Sequence, residues 1–170
     1  MECGWTILRW VGKMDIQSEK LLSNMVTSVR IAALGTIRDE APRVSMVAFV
    51  TAQDFSAYYV HVSRLAQHTV DMQKNKQVSL LITEADDGRA DPQTFARISI
   101  RGSAEFMENG EPGYAPIKTI YIERFPASEP LFKFADFGLW RIKPKGASFV
   151  VDFSKAFNLA PETLQKILQK

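Results

Sequence analysis

The 170-residue sequence predicts a mainly β protein, an antiparallel sheet curled into a small β-barrel with inserted helices. Three observations carry that expectation. Tyr58–Ser63, Val78–Ile82 and Phe95–Met107 alternate side-chain character with the period of two that gives a strand distinct faces. Compact polar or Gly/Pro-containing turns, such as Arg38–Pro42, Gln53–Ser56 and Lys143–Gly146, separate the strand-like runs as hairpins require. Helical periodicity, by contrast, comes only in short inserts.

Taken in order, residues 1–17 hold no sustained period and are punctuated by Gly4 and Gly12, so they read as an N-terminal extension ahead of a single domain spanning 18–170. Leu21, Leu22, Met25, Val26 and Val29 recur at helical spacing, with Ser18 as the expected N-cap. Ile31–Ile37 and Arg43–Val50 form the expected first hairpin through Arg38–Pro42. On its second strand Val44, Met46, Ala48 and Val50 share one face, and Arg43, Ser45, Val47 and Phe49 the other. A polar helix joins the strand at Tyr58 to the strand at Val78, and Met72–Gln77 forms its exit.

Residues 85–94 are a loop rich in charge, Gly and Pro. Its Asp86, Asp87 and Asp91 lack the ordered alternation of a calcium loop, so they read as a solvated connection. In Phe95–Met107, Arg97 and Arg101 stand on one face opposite Ile98 and Ile100. That basic stripe suits an acidic cofactor group or a partner's carboxylates, and equally a solvated surface. Ile117, Ile120 and Tyr121 mark a further helix ending near Phe125 and Pro126. Phe137–Lys143 and Ala147–Phe153 read as a closing hairpin, and Pro161–Leu168 as a final helix docked by Leu164, Ile167 and Leu168.

Composition excludes more than it assigns. With 21 basic and 19 acidic residues the net charge is +2, which gives no reason to expect nucleic acid or an anionic membrane as a partner. The segment WTILRWV is broken by Arg9 and far shorter than the ~20 apolar residues needed to span a bilayer. Cys3 is the single cysteine, so no intrachain disulfide forms and a reducing, cytoplasmic location is expected.

The densest chemistry lies in residues 58–83. At the junction of strand and helix sit Ser63, Arg64, His68 and Thr69. A helix start, a hydroxyl and a guanidinium fork together suit a phosphorylated ligand. Arg43, by residue type alone, reads as a solvated strand end. Asp136, between Ala135 and Phe137, is a carboxylate in apolar company, which must be paired or shifted unless it caps a local turn.

The run VSRLAQHT followed by NKQVSLLI, together with Gly35–Thr36 read as a turn, FARISIRGSAEF and the Asp136–Phe137 pair before Trp140–Arg141, resembles the pyridoxamine 5'-phosphate oxidase-like flavoproteins, in particular their haem-utilisation branch. The resemblance runs from about Ile31 to Phe153. It implies an antiparallel FMN-binding split barrel acting as a homodimer, with cofactor sites shared across the seam. By resemblance Arg43, Ser45 and Met46 become cofactor-binding candidates beside Ser63, Arg64, His68, Thr69, Arg97 and Asp136.

The activity so implied is that of an FMN-dependent oxidoreductase acting on an unidentified small molecule. Alternatives are a haem-binding or haem-degrading utilisation protein and a non-enzymatic flavin-binding protein. No nucleophile motif, zinc-ligand spacing or glycine-rich nucleotide loop is present, as expected where the cofactor carries the chemistry. Branch members known for haem use supply an axial histidine near the C-terminus. Here the sequence ends ETLQKILQK with no histidine after His68, so iron would take an unusual ligand.

Overall fold

The computed structural model describes residues 9–10, 14–152 and 154–169. Most of the expected extension, with Cys3, and also Phe153 lie outside the described residues. Arg9–Trp10 (β1) nevertheless pairs in parallel with the last strand.

Helix α1 (Ile16–Ser28) begins earlier than expected. Its N-cap is Asp15, whose carboxylate accepts the Ser18 N–H at 2.9 Å and the Ser18 hydroxyl at 3.0 Å. Ser18 is therefore the buried residue that donates twice to the cap, not the cap itself. Strand β2 (Ile31–Arg38) turns directly into β3 (Ala41–Ala48), so the turn is two residues rather than the expected five-residue span. Asp39 and Glu40 both take left-handed φ, 48° and 64°, as a turn matching strand twist demands. Gly35, expected in a turn, lies in mid-strand opposite Ser79, whose hydroxyl comes so close that a Cβ at residue 35 would clash.

The chain continues through β4 (Val50–Thr51), β5 (Tyr58–Ser63), α2 (Gln67–Lys74), β6 (Gln77–Thr83) and β7 (Arg97–Met107). Then follow α3 (Tyr114–Arg124), a 3-10 segment at Pro126–Lys133, β8 (Phe137–Val150), β9 (Lys155–Leu159) and α4 (Pro161–Leu168). The expected closing hairpin is one 14-residue strand. Lys143–Gly146 does not turn the chain back; it accommodates a register shift against β7 between Arg101 and Gly102.

Hydrogen-bonded neighbours run β1-β9-β8-β7-β6-β2-β3, with β5 pairing β8 and β4 pairing β5. Because only Phe49 separates β3 from β4, the end of the β2–β3 hairpin passes straight onto the β5 edge. The sheet thereby curls round into a barrel through β2, β3/β4, β5, β8, β7 and β6, antiparallel at each of these pairings.

Leu34, Val60, Leu80, Ile98, Ile100, Ile142 and Phe149 fill the core with side chains, and α1 and α4 add Leu22, Met25, Leu164 and Leu168 to the same cluster. A second cluster on the outside of β5 packs Tyr59 and Leu139 against Ile117 and Tyr121 of α3. The two faces of β5 read from the sequence are real, but both are buried.

Helix α2 is fixed to the sheet by a buried charge. Asp71, 1% exposed, accepts the Thr36 hydroxyl at 2.9 Å and Arg38 Nε at 2.6 Å, while Arg38 also meets the Gln67 side chain. Burial raises the carboxyl pKa, but those hydrogen bonds and the charges of Arg38 and Arg43 outweigh it and hold it below the ordinary value. Removing one partner of a buried pair strands the other. Asp71→Ala should therefore cost about 3 kcal/mol in urea unfolding, against about 1 kcal/mol for Thr36→Val. A loss below about 1 kcal/mol for Asp71→Ala would contradict this role.

Candidate functional site

Strand β5 delivers its last residues, His61 to Ser63, to the wall of a cavity of about 510 Å³. Arg30, Ile31 and Met46 form a second wall, the start of α2 brings His68, and Tyr121, Phe125 and Phe137 close the remainder. The lining is aromatic and imidazole-rich with one guanidinium.

His61 is 7% exposed and stacks on Phe132 at 3.7 Å between centroids with planes 5° apart. Tyr121 meets its edge at 5.7 Å. Burial first, and then the charge of Lys118, lower the imidazole pKa to about 4, so it is neutral at physiological pH. Burial also lowers His68, with Asp71 pulling partly the other way. Both imidazoles carry a buried nitrogen with no hydrogen-bond partner among the described residues, Nδ1 of His61 and Nε2 of His68. A buried polar atom left unpaired costs ~1–3 kcal/mol, a cost that a site recovers when a ligand arrives.

The corner beneath the cavity is well bonded. Ser63 Oγ donates to Asp136 Oδ2 at 3.2 Å and accepts the Leu65 N–H at 3.1 Å. The Arg64 N–H donates to the Asp136 carbonyl. Thr69 is fully buried, and its hydroxyl donates to the Ser63 carbonyl at 2.7 Å. The Arg64 guanidinium lies 5.2 Å over the Phe106 ring.

Of the candidates read from the sequence, Ser63, His68 and Met46 line this cavity, and Asp136 sits directly beside it. Thr69 braces the corner from inside. Arg43 is exposed near Asp71, and Ser45 lines a neighbouring, larger cavity together with Met46. Arg97 donates to the carbonyls of Gln93 and Phe95 at 2.9 and 3.0 Å. Sequence reasoning missed Arg30, His61, Tyr121, Phe125 and Phe137 as site residues. Two of them carried a signal, His61 as a histidine two residues before Ser63 and Phe137 as the neighbour of Asp136 in the family-like pair. The aspartates of the 85–94 loop accept local backbone N–H groups, with Asp86, Asp87 and Asp91 bonding Gly88, Arg89 and Gln93.

Comparison with known proteins gives a consistent set. The family model described as pyridoxamine 5'-phosphate oxidase matches residues 18–151. The chain is 30% identical over 126 residues to the haem oxygenase HutZ of Vibrio cholerae, covering 72% of this chain and 69% of that protein. It is 34% identical over 116 residues to the chloroplastic non-canonical haem oxygenase HOZ of Arabidopsis thaliana, covering 68% of this chain but only 34% of that protein. The crystal structure of HutZ, a haem storage protein of Vibrio cholerae, superposes with a TM-score of 0.69 at 24% identity over 76% of this chain and 92% of that one.

The depressed His61 pKa makes a prediction independent of any ligand. The folded value, about 4, lies below the ordinary 6.5, so the unfolded chain binds this proton first. The stability contribution is complete above pH ~6.5 and is lost as pH falls towards ~4. Allowing for solvent screening, the loss is about 1–2 kcal/mol. His61→Phe should flatten the fall in unfolding free energy between pH 7 and pH 4.5 by that amount. An unchanged slope would show that His61 titrates normally.

Proposed function

Since the chain belongs to the pyridoxamine 5'-phosphate oxidase family, in its haem-utilisation branch, we propose that it is a haem-binding protein whose ligand enters the His61–His68 cleft. The observation that carries this reading is the pair of imidazole side chains in the wall of one aromatic cavity, each with a buried ring nitrogen that has no partner among the described residues. Haem asks for a flat apolar slot, a nitrogen ligand for iron and a cation for its carboxylates. Phe137, Phe125 and Tyr121 offer the first, His68 the second and Arg30 the third. His68 is the better iron ligand of the two histidines, because His61 is stacked beneath Phe132.

Bound haem would supply iron and oxygen chemistry, and the haem oxygenase names of two relatives make ring oxidation the activity to test. The chain's own residues bind and orient the ligand and keep water from its inner edge. Asp136, held by Ser63, is placed to accept a hydrogen bond beside the site. The lone cysteine fits a reducing compartment, the cytoplasm. No helix among the described residues is long and apolar enough to cross a membrane.

The protein acts as a homodimer in this proposal. The outer face of β2, β3 and β6 exposes Val44 at 73%, Met46 at 69%, Ile31 at 53% and Leu81 at 41%, around a cavity of about 1030 Å³. Large side chains at adjacent positions of one face are unfavourable in water and favour burial by a second copy. Ile31 and Met46 line both this cavity and the imidazole cleft, so the second copy would form part of the ligand wall.

FMN is the second reading, favoured by the family model itself and by the Ser63–Arg64 corner. Arg64, Arg43 and Ser45 are then the phosphate and ribityl contacts, and the activity is a flavin-dependent oxidation. Arg64→Ala should weaken FMN more than tenfold in a fluorescence titration, given ~1.5–3 kcal/mol for a charge-assisted contact.

Haem titration should give a Soret band saturating at one haem per chain. His68→Ala should shift that band and weaken binding by about tenfold or more, whereas no Soret change on adding haem to the unmodified protein would overturn the haem reading. Light scattering should return twice the chain mass, and Met46→Glu should reduce it to one. A monomeric parent protein would contradict the assembly.

A further inference from the structure

Arg30 stands between the end of α1 and the start of β2, exposed to solvent at the mouth of the imidazole cleft. Its guanidinium lies 5.0 Å over the Phe125 ring and makes no hydrogen bond or ion pair among the described residues. The neighbouring Arg124 is committed elsewhere, donating to the carbonyls of Thr27 at 2.8 Å and Val29 at 2.7 Å, where it caps the end of α1. Burial lowers the Arg124 pKa, and the charge of Arg30 lowers it further, so two guanidiniums repel one another at this rim. Lys118 adds a third cation, 5.4 Å from the centre of the Phe132 ring that covers His61. None of the three has a carboxylate partner among the described residues. Asp136, the acid beside the cleft, is held by Ser63 and forms no ion pair with any of them among the described residues.

We infer that Arg30 is the residue by which the cleft selects an acidic planar ligand, holding a carboxylate of the ligand's outer edge while the imidazoles face its interior. The inference rests on the haem reading of the same cleft and adds the source of its selectivity. Arg30 and Arg124, two cations without acids, repel one another, and an anion docking between the rim and the ring would relieve that repulsion. Among them Arg30 alone has a planar fork that matches a carboxylate and is both exposed and wholly unbonded, since Arg124 has committed its two terminal nitrogens and keeps only a buried Nε unpaired. Its stacking on Phe125 preorganises the fork, so less side-chain freedom is lost on binding. Arg30 was invisible as a site residue in the sequence because Phe125, which positions it, comes from the far end of α3.

The test is equilibrium titration of the full-length protein and its Arg30→Gln and Arg30→Lys variants with haem and with haem dimethyl ester, which lacks the carboxylates but keeps the ring and iron. Arg30→Gln should weaken haem about tenfold and leave the diester within about twofold, with Arg30→Lys falling between. Urea midpoints should stay close to the parent, because the exposed guanidinium makes no hydrogen bond or ion pair among the described residues, and its loss of stacking on Phe125 is offset by relief of its repulsion of Arg124. Equal weakening of both ligands, or no weakening of either, would overturn the role of Arg30 while leaving haem binding intact. Failure of the parent protein to bind either ligand would instead overturn the reading of the cleft, and this inference with it. A loss seen with FMN in place of haem would assign the same fork to a phosphate and contradict the carboxylate assignment.

Discussion

A single buried carboxylate holds the functional corner together. Asp71 ties α2 to β2 through Thr36 and Arg38, and α2 is the segment between the two central strands β5 and β6. Without that tie the helix would pack with little more than Met72 and Thr69, its fully buried residues besides Asp71. The corner at Ser63 depends on it, because Thr69 from the same helix bonds the Ser63 carbonyl and Ser63 in turn holds Asp136. One charge, buried where isolation would cost several kcal/mol, thus fixes the sequence run VSRLAQHT as a rigid shelf. His68 sits on that shelf with a nitrogen to spare.

The barrel explains why the shelf faces a cleft rather than solvent. Closure through β3, Phe49 and β4 brings Met46 and Ala48 alongside His61 and Ser63, residues that no local pattern would join. Helix α3 and the 3-10 segment after it then cover the outer side of β5, stacking Phe132 on His61 and placing Tyr121 and Phe125 at the cavity wall. The site is therefore built where barrel closure and an outer helical cover meet. A chain with the same strands but no α3 would leave this wall open.

Much of this was legible in sequence because it is local. The alternation of β5, β6 and β7 and the helical stripes of α1, α3 and α4 are properties of adjacent residues, and each became the expected element. Errors arose where one residue type serves two geometries. Asp15 and Ser18 are both cap formers three apart, so the cap was misplaced by that interval. Pro144 and Gly146 resemble a turn, yet inside β8 they relieve a bulge, since Gly102 opposite leaves no room for a Cβ against the Lys143 carbonyl. Ser63 and His68 were identified because they are neighbours along the chain. Arg30 and Phe125 join them only in space, and His61 looked like an ordinary member of an alternating strand.

The central claim is that a flat acidic macrocycle occupies the His61–His68 cleft. The most direct measurement is the imidazole region of the nitrogen-proton correlation spectrum, recorded on uniformly labelled protein before and after one equivalent of diamagnetic gallium protoporphyrin. With only His61 and His68 in residues 1–170, the assignment needs one variant. Large shifts of both imidazoles, His68 the greater, are the expected result. Unmoved imidazole signals in the presence of bound porphyrin would place the ligand elsewhere and contradict the account.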